Sequence, residues 1–520
     1  MAATEGLNLK SLNPIRLLAS HDEWPTTVWV LCLTTLIGFL VKLFWRPALP
    51  KNAPKLWKPK DWPIVGALEF FTNRKNFLSH GSRTQKTGAF SFYLGKYQVV
   101  NISGREGRKA FFDSRELSMS EGYATLYAAS PAVPDNEKNT ENAYDKWFGR
   151  TITAMMKKEN FVKNLYPMVH DTQKALDRAF DRAQQRGGMI DPFDDIYRIV
   201  YMLTVRMVGP TEFVERPEML DKTLHYFESY ERALSAARVV FPWMPTWNWA
   251  KQMYYGAKLY GTLDSVVKER KTTGRRPDDA LQFLLDGGDG LVRILTFIMG
   301  SLFAGQLNSG INAGWLMMYL ATTPEWYKRT QEEVDGVVKR HRTSPDQSPT
   351  DILAALSVDE WESEFPLIDL GLRESIRIQL VGAACRKNVS GRDVPIGNTG
   401  EVVPKDGFAT YLCDDLHMNP EIYPNPERWD PGRYLPDRAE DKKEPHAYMG
   451  WGLGRHPCLG MRFAKLEMAV IAACFIARFD YTLHTPDGKP LAEPYPSNRN
   501  RFSAHKPERP MRLKITPRKY

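Results

Sequence analysis

Thr26–Trp45 (TTVWVLCLTTLIGFLVKLFW) is a run of twenty positions broken by one charge, Lys42. About 20 consecutive apolar residues cross a bilayer core, so the pattern predicts a transmembrane anchor over 26–45. Trp24, Trp29 and Trp45 stand near its ends, where indole favours the interface. A cleavable signal peptide fits poorly, because the preceding tail, 1–25, carries Asp22 and Glu23 and no basic n-region followed by a small-residue cleavage site. Lys42, Arg46, Lys51, Lys55, Lys58 and Lys60 crowd the carboxyl-terminal flank, against Lys10 and Arg16 upstream. The positive-inside tendency then leaves the rest of the chain in the cytosol. Pro47, Pro50, Pro54, Pro59 and Pro63 predict a stiff extended hinge over 46–64, with one large domain over 65–520.

Within that domain Gly88–Ser103 (GAFSFYLGKYQVVNIS) reads as two strands around Gly95-Lys96. Helical patterning then dominates to about Pro366, helix gives way to short strands and turns between Leu370 and Pro404, and Pro404–Arg433 is loop-rich. The expected fold is mainly α with a minor β-sheet region. Ile294–Pro324 contains no charged residue. Its length would suit a second membrane span, but Gln306, Asn308, Ser309 and Asn312 in its middle favour a helix buried at the centre of the body.

Composition narrows the classes. Hydrophobic residues make up 43% and charged residues 25%, which excludes a disordered chain. Lys plus Arg exceed Asp plus Glu, 70 against 61, for a net charge of +9 that suits an acidic partner or an anionic membrane. The absence of long basic blocks and zinc-ligand repeats argues against nucleic acid. Cys32, Cys385, Cys413, Cys458 and Cys474 are too few and scattered for a disulfide framework.

The chemistry concentrates at Trp451–Gly460, WGLGRHPCLG. Glycines 452, 454 and 460 permit tight turns and close approach of a flat ligand. Cys458 immediately precedes a helical pattern, where free N–H groups and the helix dipole favour thiolate, and Arg455 and His456 add positive charge. Such a cysteine suits a soft metal ligand or a nucleophile.

These ten residues resemble the haem-ligand loop of the cytochrome P-450 superfamily, Phe-x-x-Gly-x-(Arg/His)-x-Cys-x-Gly. Gly454, His456, Cys458 and Gly460 match, and Trp451 stands in place of the usual Phe. The resemblance implies that Cys458 is the axial ligand of haem b iron, with Trp451, Gly454, Arg455, His456 and Gly460 around the cofactor. It extends to Glu374 and Arg377 in LRESIR, and to Arg428 in Pro-Glu-Arg-Trp, which the resemblance implies form a buried structural triad. Ala304-Gly305-Gln306 and the Gly-Arg-His-Pro-Cys run are similar to sterol demethylases and to fungal secondary-metabolism members. The implied protein is a haem-thiolate monooxygenase of the endoplasmic reticulum, inserting one oxygen atom from dioxygen into a terpenoid-, alkaloid- or polyketide-type molecule. Its implied electron donor is NADPH-cytochrome P-450 reductase, with cytochrome b5 as an additional partner, docking on a basic face with Arg455, His456, Arg462 and Lys465.

The chain departs from the family pattern on the central helix. Gly305 is present, but Leu307 replaces the usual acid or amide and Asn308 the usual threonine, with Ser309 following. The expected catalytic set is Gly305, Asn308 and Ser309. Prostacyclin synthase-like members share the asparagine, so a peroxide isomerase or dehydratase is the alternative, and a non-catalytic haem-binding protein a further one. Tyr123, Leu126 and Tyr127 in Glu121–Pro134 are candidates to line a pocket, and Trp147, Arg150, Lys157 and Lys158 sit on a basic helix, one of whose cations is a candidate to meet a haem propionate. Asn101 and Asn388 sit in glycosylation patterns that a cytosolic body leaves unmodified.

Overall fold

The structure, a computed structural model, describes residues 26–127 and 143–519. The expected tail 1–25 and the end of the candidate pocket segment, 128–134, lie outside the described residues. Helix α1 (Thr26–Phe44) has no buried residue and is long enough to cross a membrane.

The hinge is tied down rather than free. Tyr93 donates its hydroxyl to the Pro47 carbonyl at 2.7 Å, Gln98 Nε2 to Ala48 at 2.8 Å, and Ser91 Oγ to Pro54 at 2.7 Å. Arg46 forks onto Asp61 at 2.8 Å. Prolines expose carbonyls without competing N–H donors, which leaves this stretch open to capture by the neighbouring sheet.

That sheet begins where the alternation placed it. β1 (Phe90–Leu94) and β2 (Tyr97–Ile102) form a hairpin whose register pairs Leu94 with Tyr97 across Gly95-Lys96, and Gly95 takes a φ of 57°. Three further strands, β3 (Leu117–Ser118), β4 (Ala383–Asn388) and β5 (Phe408–Leu412), complete the order β1-β2-β5-β4-β3. Only the β2–β5 pairing is parallel. Leu126, Trp57, Phe77 and Phe92 fill a small core beneath it, with Tyr123 and Tyr127 packed alongside.

The larger core surrounds the charge-free segment. Helices α2 (Ala143–Met155), α3 (Lys158–Gln184) and α4 (Tyr197–Val208) precede it in the chain. It forms α5 (Leu291–Thr322), in which every residue from Ser309 to Met318 is buried. Water exclusion by protein, not lipid, accounts for its apolar composition. A Cβ on Gly310 would lie 2.6 Å from the Tyr197 ring of α4, so the two backbones approach closely there. Gln306 donates to the Tyr197 carbonyl at 2.9 Å. Helices α6 (Pro366–Gln379) and α7 (Met461–Arg478) pack against α5 from other sides.

Both glycosylation-pattern asparagines are structural. Asn101 is 1% exposed and donates to Ser82 Oγ at 2.8 Å. Asn388 is fully buried and its Nδ2 is directed at the carbonyls of Arg392, Val403 and Pro404 at 2.7, 3.2 and 2.9 Å. Asn388→Ala strands these carbonyls, so a loss of about 1–3 kcal/mol of unfolding free energy is expected in urea titration. Digestion with an N-glycosidase should leave the parent's mobility unchanged.

Candidate functional site

The cysteine loop is shaped by its glycines. Gly452 and Gly454 adopt φ values of 77° and 60°. A Cβ on Gly452 would collide with the His456 carbonyl, and one on Gly454 with that of Phe112. These kinks allow His456-Pro457 to fold back on Gly452-Leu453, and the Cys458 N–H donates to the Trp451 carbonyl at 2.8 Å. Gly460 then caps α7, and a Cβ placed on it would meet nothing within 4 Å. Cys458 and Leu459 are exposed beside that open side.

The expectation that the helix start lowers the thiol's pKa is not met. Desolvation by the surrounding loop raises it, and the opposing Gly460 N–H is the weaker influence. Although the sulfur has an open face, the loop walls remove water from its other sides. His456 is held below the usual imidazole value by burial and then by Arg386 and Arg455.

Beneath the loop lies a buried ionic knot. Glu374 Oε1 accepts from Arg377 Nη2 at 2.8 Å, Arg433 Nε at 3.0 Å and the Asp430 N–H at 3.2 Å. Its Oε2 accepts from Arg377 Nε at 2.8 Å and the Tyr434 hydroxyl at 2.9 Å. Arg433 also pairs with Glu440 at 2.8 Å. The third member is therefore Arg433, and the expectation for Arg428 is corrected. The Arg428 side chain is exposed, and only its carbonyl joins the knot, accepting from Arg433 Nη2 at 3.1 Å. Asp430-Pro431 turns the chain between them and swings Arg433 and Tyr434 inward.

His417 couples this knot to the loop. Its Nδ1 lies 3.1 Å from the Arg377 carbonyl and its Nε2 accepts the Met449 N–H at 3.0 Å, which assigns the Nδ1–H tautomer. Arg377 Nη1 returns a bond to the His417 carbonyl at 2.5 Å, and the ring stacks on Tyr448. Burial, then Arg377 and Arg499, hold the imidazole well below its ordinary pKa.

On α5, Ala304 and Asn308 are exposed one turn apart, with Phe303, Gly305 and Leu307 half-buried around them. The Asn308 amide donates back to the Ala304 carbonyl at 2.8 Å. Ser309 is turned away, 9% exposed, toward Glu467 of α7. A Cβ on Gly305 would lie 3.3 Å from Thr204 Cγ2, so this glycine permits close approach of α4. No hydrogen bond joins Cys458 to Asn308 or Ser309 among the described residues.

Other expected residues go elsewhere. Tyr127 donates to the Ala383 carbonyl at 3.0 Å, and Tyr123 and Leu126 pack with it against the sheet. Trp147 stacks edge-on with Phe297 and, with Arg150, borders a cleft of about 910 Å³ that also includes Arg276 and Asp279. Lys158 pairs with Asp359 at 2.6 Å. Arg462 pairs with Glu362 at 2.5 Å and Lys465 with Asp369 at 2.9 Å, which halves the free charge of the basic face read from the sequence.

A kinked, cysteine-bearing loop mounted on a buried Glu–Arg–Arg knot defines a class, and comparison with known proteins agrees with it. The family model for cytochrome P-450 matches residues 57–509. The chain belongs to the cytochrome P-450 family, whose members bind haem, and is an oxidoreductase of the monooxygenase type. It is 34% identical to the cytochrome P-450 monooxygenase AacuE of Aspergillus aculeatus, over 89% of this chain and 92% of that one. It is 28% identical to the monooxygenase nsrP of Aspergillus novofumigatus, over 91% and 92% respectively. It is also 30% identical to the obtusifoliol 14-alpha demethylase of Sorghum bicolor, over 82% and 84%.

Two variants separate Arg433 from Arg428. Arg433→Leu leaves Glu374 and Glu440 short of a partner in the interior, and a loss of about 3–5 kcal/mol is expected. Arg428→Ala should stay within about 0.5 kcal/mol of the parent, as at other surface positions. His417 predicts a pH dependence. Below about pH 6.5 the unfolded imidazole takes up a proton that the folded one refuses. Stability is thus fully present above that pH and declines below it, by up to about 1.4 kcal/mol per unit. Denaturant titrations from pH 7 to 5 should show this slope reduced in His417→Gln.

Proposed function

We propose that this chain is a membrane-anchored haem-thiolate monooxygenase that inserts one oxygen atom from dioxygen into a hydrophobic small molecule of a fungal secondary-metabolite pathway. The observation that carries it is the exposed Cys458 thiol at the head of α7, beside a glycine whose open side leaves room for a flat ring. The residues fit haem b. Cys458 would ligate iron, Trp451, Gly454, Arg455, His456 and Gly460 would surround the macrocycle, and the exposed Ala304 and Asn308 of α5 would be turned toward it. Haem so held supplies the reductive activation of dioxygen.

The chain's own residues supply the setting. Gly452 and Gly454 fix the direction of the thiol, and the Glu374–Arg377–Arg433 knot holds the ground beneath it. Exposed Ala304 and half-buried Phe303 and Leu307 present an apolar surface that suits a hydrophobic substrate. Asn308, with Nδ2 engaged by its own helix, retains Oδ1 to orient water or substrate. The fungal relatives support the secondary-metabolite setting, and α1 followed by its basic flank supports an endoplasmic reticulum membrane with the body cytosolic. NADPH-cytochrome P-450 reductase is the proposed electron donor, meeting the exposed face around Arg455.

Carbon monoxide added to the reduced protein should give the red-shifted Soret band of thiolate-bound haem, and Cys458→Ala should abolish it. An unchanged spectrum in the variant overturns the assignment. Turnover that persists without reductase and dioxygen would instead identify a peroxide isomerase. With Arg462 and Lys465 already paired, reductase-driven turnover should fall only modestly between low and physiological salt.

A further inference from the structure

Six arginines are buried among the described residues. Arg108, Arg270, Arg377 and Arg433 each face a carboxylate, and Arg386 adjoins His456 of the cysteine loop. Arg74 has neither kind of partner. It opens the helix Arg74–Arg83 with its side chain fully buried, and it forms no ion pair among the described residues. Its Nε donates to the Phe70 carbonyl at 2.9 Å, and Nη1 is directed at the Phe502 carbonyl and the Tyr127 hydroxyl at 3.3 and 3.4 Å. Nη2 is buried without any acceptor. The Phe502 and Phe70 rings lie over the guanidinium, 3.9 and 4.1 Å from its carbon. Ring faces attract a cation, but they leave the in-plane N–H groups of Nη2 unanswered.

The titratable neighbours supply no countercharge. Burial pushes the Tyr123 and Tyr127 phenols above their ordinary range and the Cys385 thiol up to about 12, so all three are neutral at pH 7. A cation taken out of water without a partner is destabilising, and such positions are ordinarily paired. The place of Arg74 in the fold points to what pairs with it. Tyr127 donates its hydroxyl to Ala383, the first residue of β4. Three residues on, roughly 10 Å along the strand, Arg386 donates to the Phe111 and Phe112 carbonyls, and Phe112 abuts Gly454 of the cysteine loop. In the other direction Phe502 leads to His505, whose carbonyl accepts from Trp315 of α5 at 3.2 Å. One arm from Arg74 thus runs to the cysteine loop and the other to the helix that carries Asn308. Phe502, Tyr123 and Tyr127 are only half-buried, so the rings around the guanidinium border accessible space.

We propose that Arg74 is a substrate-recognition residue whose Nη2 binds the carboxylate of a hydrophobic organic acid, with the apolar body of that acid directed toward α5. This deepens the monooxygenase reading and rests on it. A single cation in an otherwise uncharged shell matches a monoanion, which favours a carboxylate over a phosphate dianion. The planar fork of N–H groups suits the two oxygens of a carboxylate. The Phe70, Phe502 and Tyr127 rings suit the carbon skeleton next to it.

The test titrates the full-length holoprotein, held in zwitterionic lipid nanodiscs at pH 7.5, by calorimetry. The probes are biphenyl-4-carboxylic acid and octanoic acid, each compared with its own primary amide, and empty nanodiscs give the background. In the parent each acid should bind about 10- to 100-fold more tightly than its amide, the span expected of hydrogen bonds to a charged group. That preference should persist in about 0.5 M salt, because buried pairs are screened far less than surface ones. Arg74→Gln should bring acid and amide to within about twofold while leaving the affinity for the amide unchanged. Arg74→Lys should keep only part of the preference, since it retains the charge and loses the fork. Equal binding of acid and amide by the parent overturns the proposal, as does a preference that salt abolishes or that Arg74→Gln retains. If Arg74→Gln fails to fold, Arg74→Lys decides: a reduced preference supports the site and an unchanged one overturns it. The monooxygenase reading fails separately. A parent that prefers the acids but shows no red-shifted Soret band with carbon monoxide overturns that reading, and the bound acid is then a ligand and not a substrate.

Discussion

Glu374 accepts five hydrogen bonds inside the protein, and much of the site is built outward from that carboxylate. Two carboxylates, Glu374 and Glu440, face two guanidiniums, Arg377 and Arg433, so the buried cluster is neutral. The remaining donors of both arginines reach the carbonyls of His417, Pro424, Asn425, Pro426 and Arg428. The irregular chain from 418 to 430 forms neither strand nor helix, so its carbonyls need other partners. The arginines supply them, and the segment takes its path from these bonds. His417 and Tyr448, whose hydroxyl reaches the Arg373 carbonyl at 3.0 Å, carry that order on to the first residues of the cysteine loop.

How much of this was legible from residues alone differs by element. The β1–β2 hairpin was plain, because alternating hydrophobicity flanked a glycine able to take positive φ. The central helix was also plain, since its interior polar groups made sense only inside a protein. The family and the class of chemistry followed from the ten residues around Cys458. Arg428 misled because Pro-Glu-Arg-Trp is locally similar to the family segment. The arginine that reaches Glu374 lies five positions later, and it was distinguished by the adjoining Tyr434, which binds the same carboxylate. The thiol's environment was misjudged too, since a helix start is visible in sequence and the desolvating walls are not.

Contacts between distant segments left almost no trace in the sequence. Glu467 accepts from the Thr204 hydroxyl, and it sits in a helical stretch where the pattern gives no hint of Thr204 or Ser309. The pairing of Arg462 with Glu362 and Lys465 with Asp369 leaves only about half of an evident basic face uncompensated. Tyr123, Leu126 and Tyr127 were drawn into the sheet's core by the same hydrophobicity that made them candidates for a pocket.

The strapping of residues 46–57 to the first sheet bears on how the body sits at a membrane. A slack tether would let the body tumble and present any face to the lipid. Pro47, Ala48 and Pro54 are instead fastened to Gln98, Tyr93 and Ser91, and Arg46 to Asp61, within a few residues of the end of α1. In the proposed membrane setting, those bonds would leave little slack between α1 and the sheet. The exposed Trp62, Trp243 and Trp247 are carried on the same body, with Trp243 touching Phe39 of the anchor. An apolar compound dissolved in the lipid would then meet one constant flank of the protein.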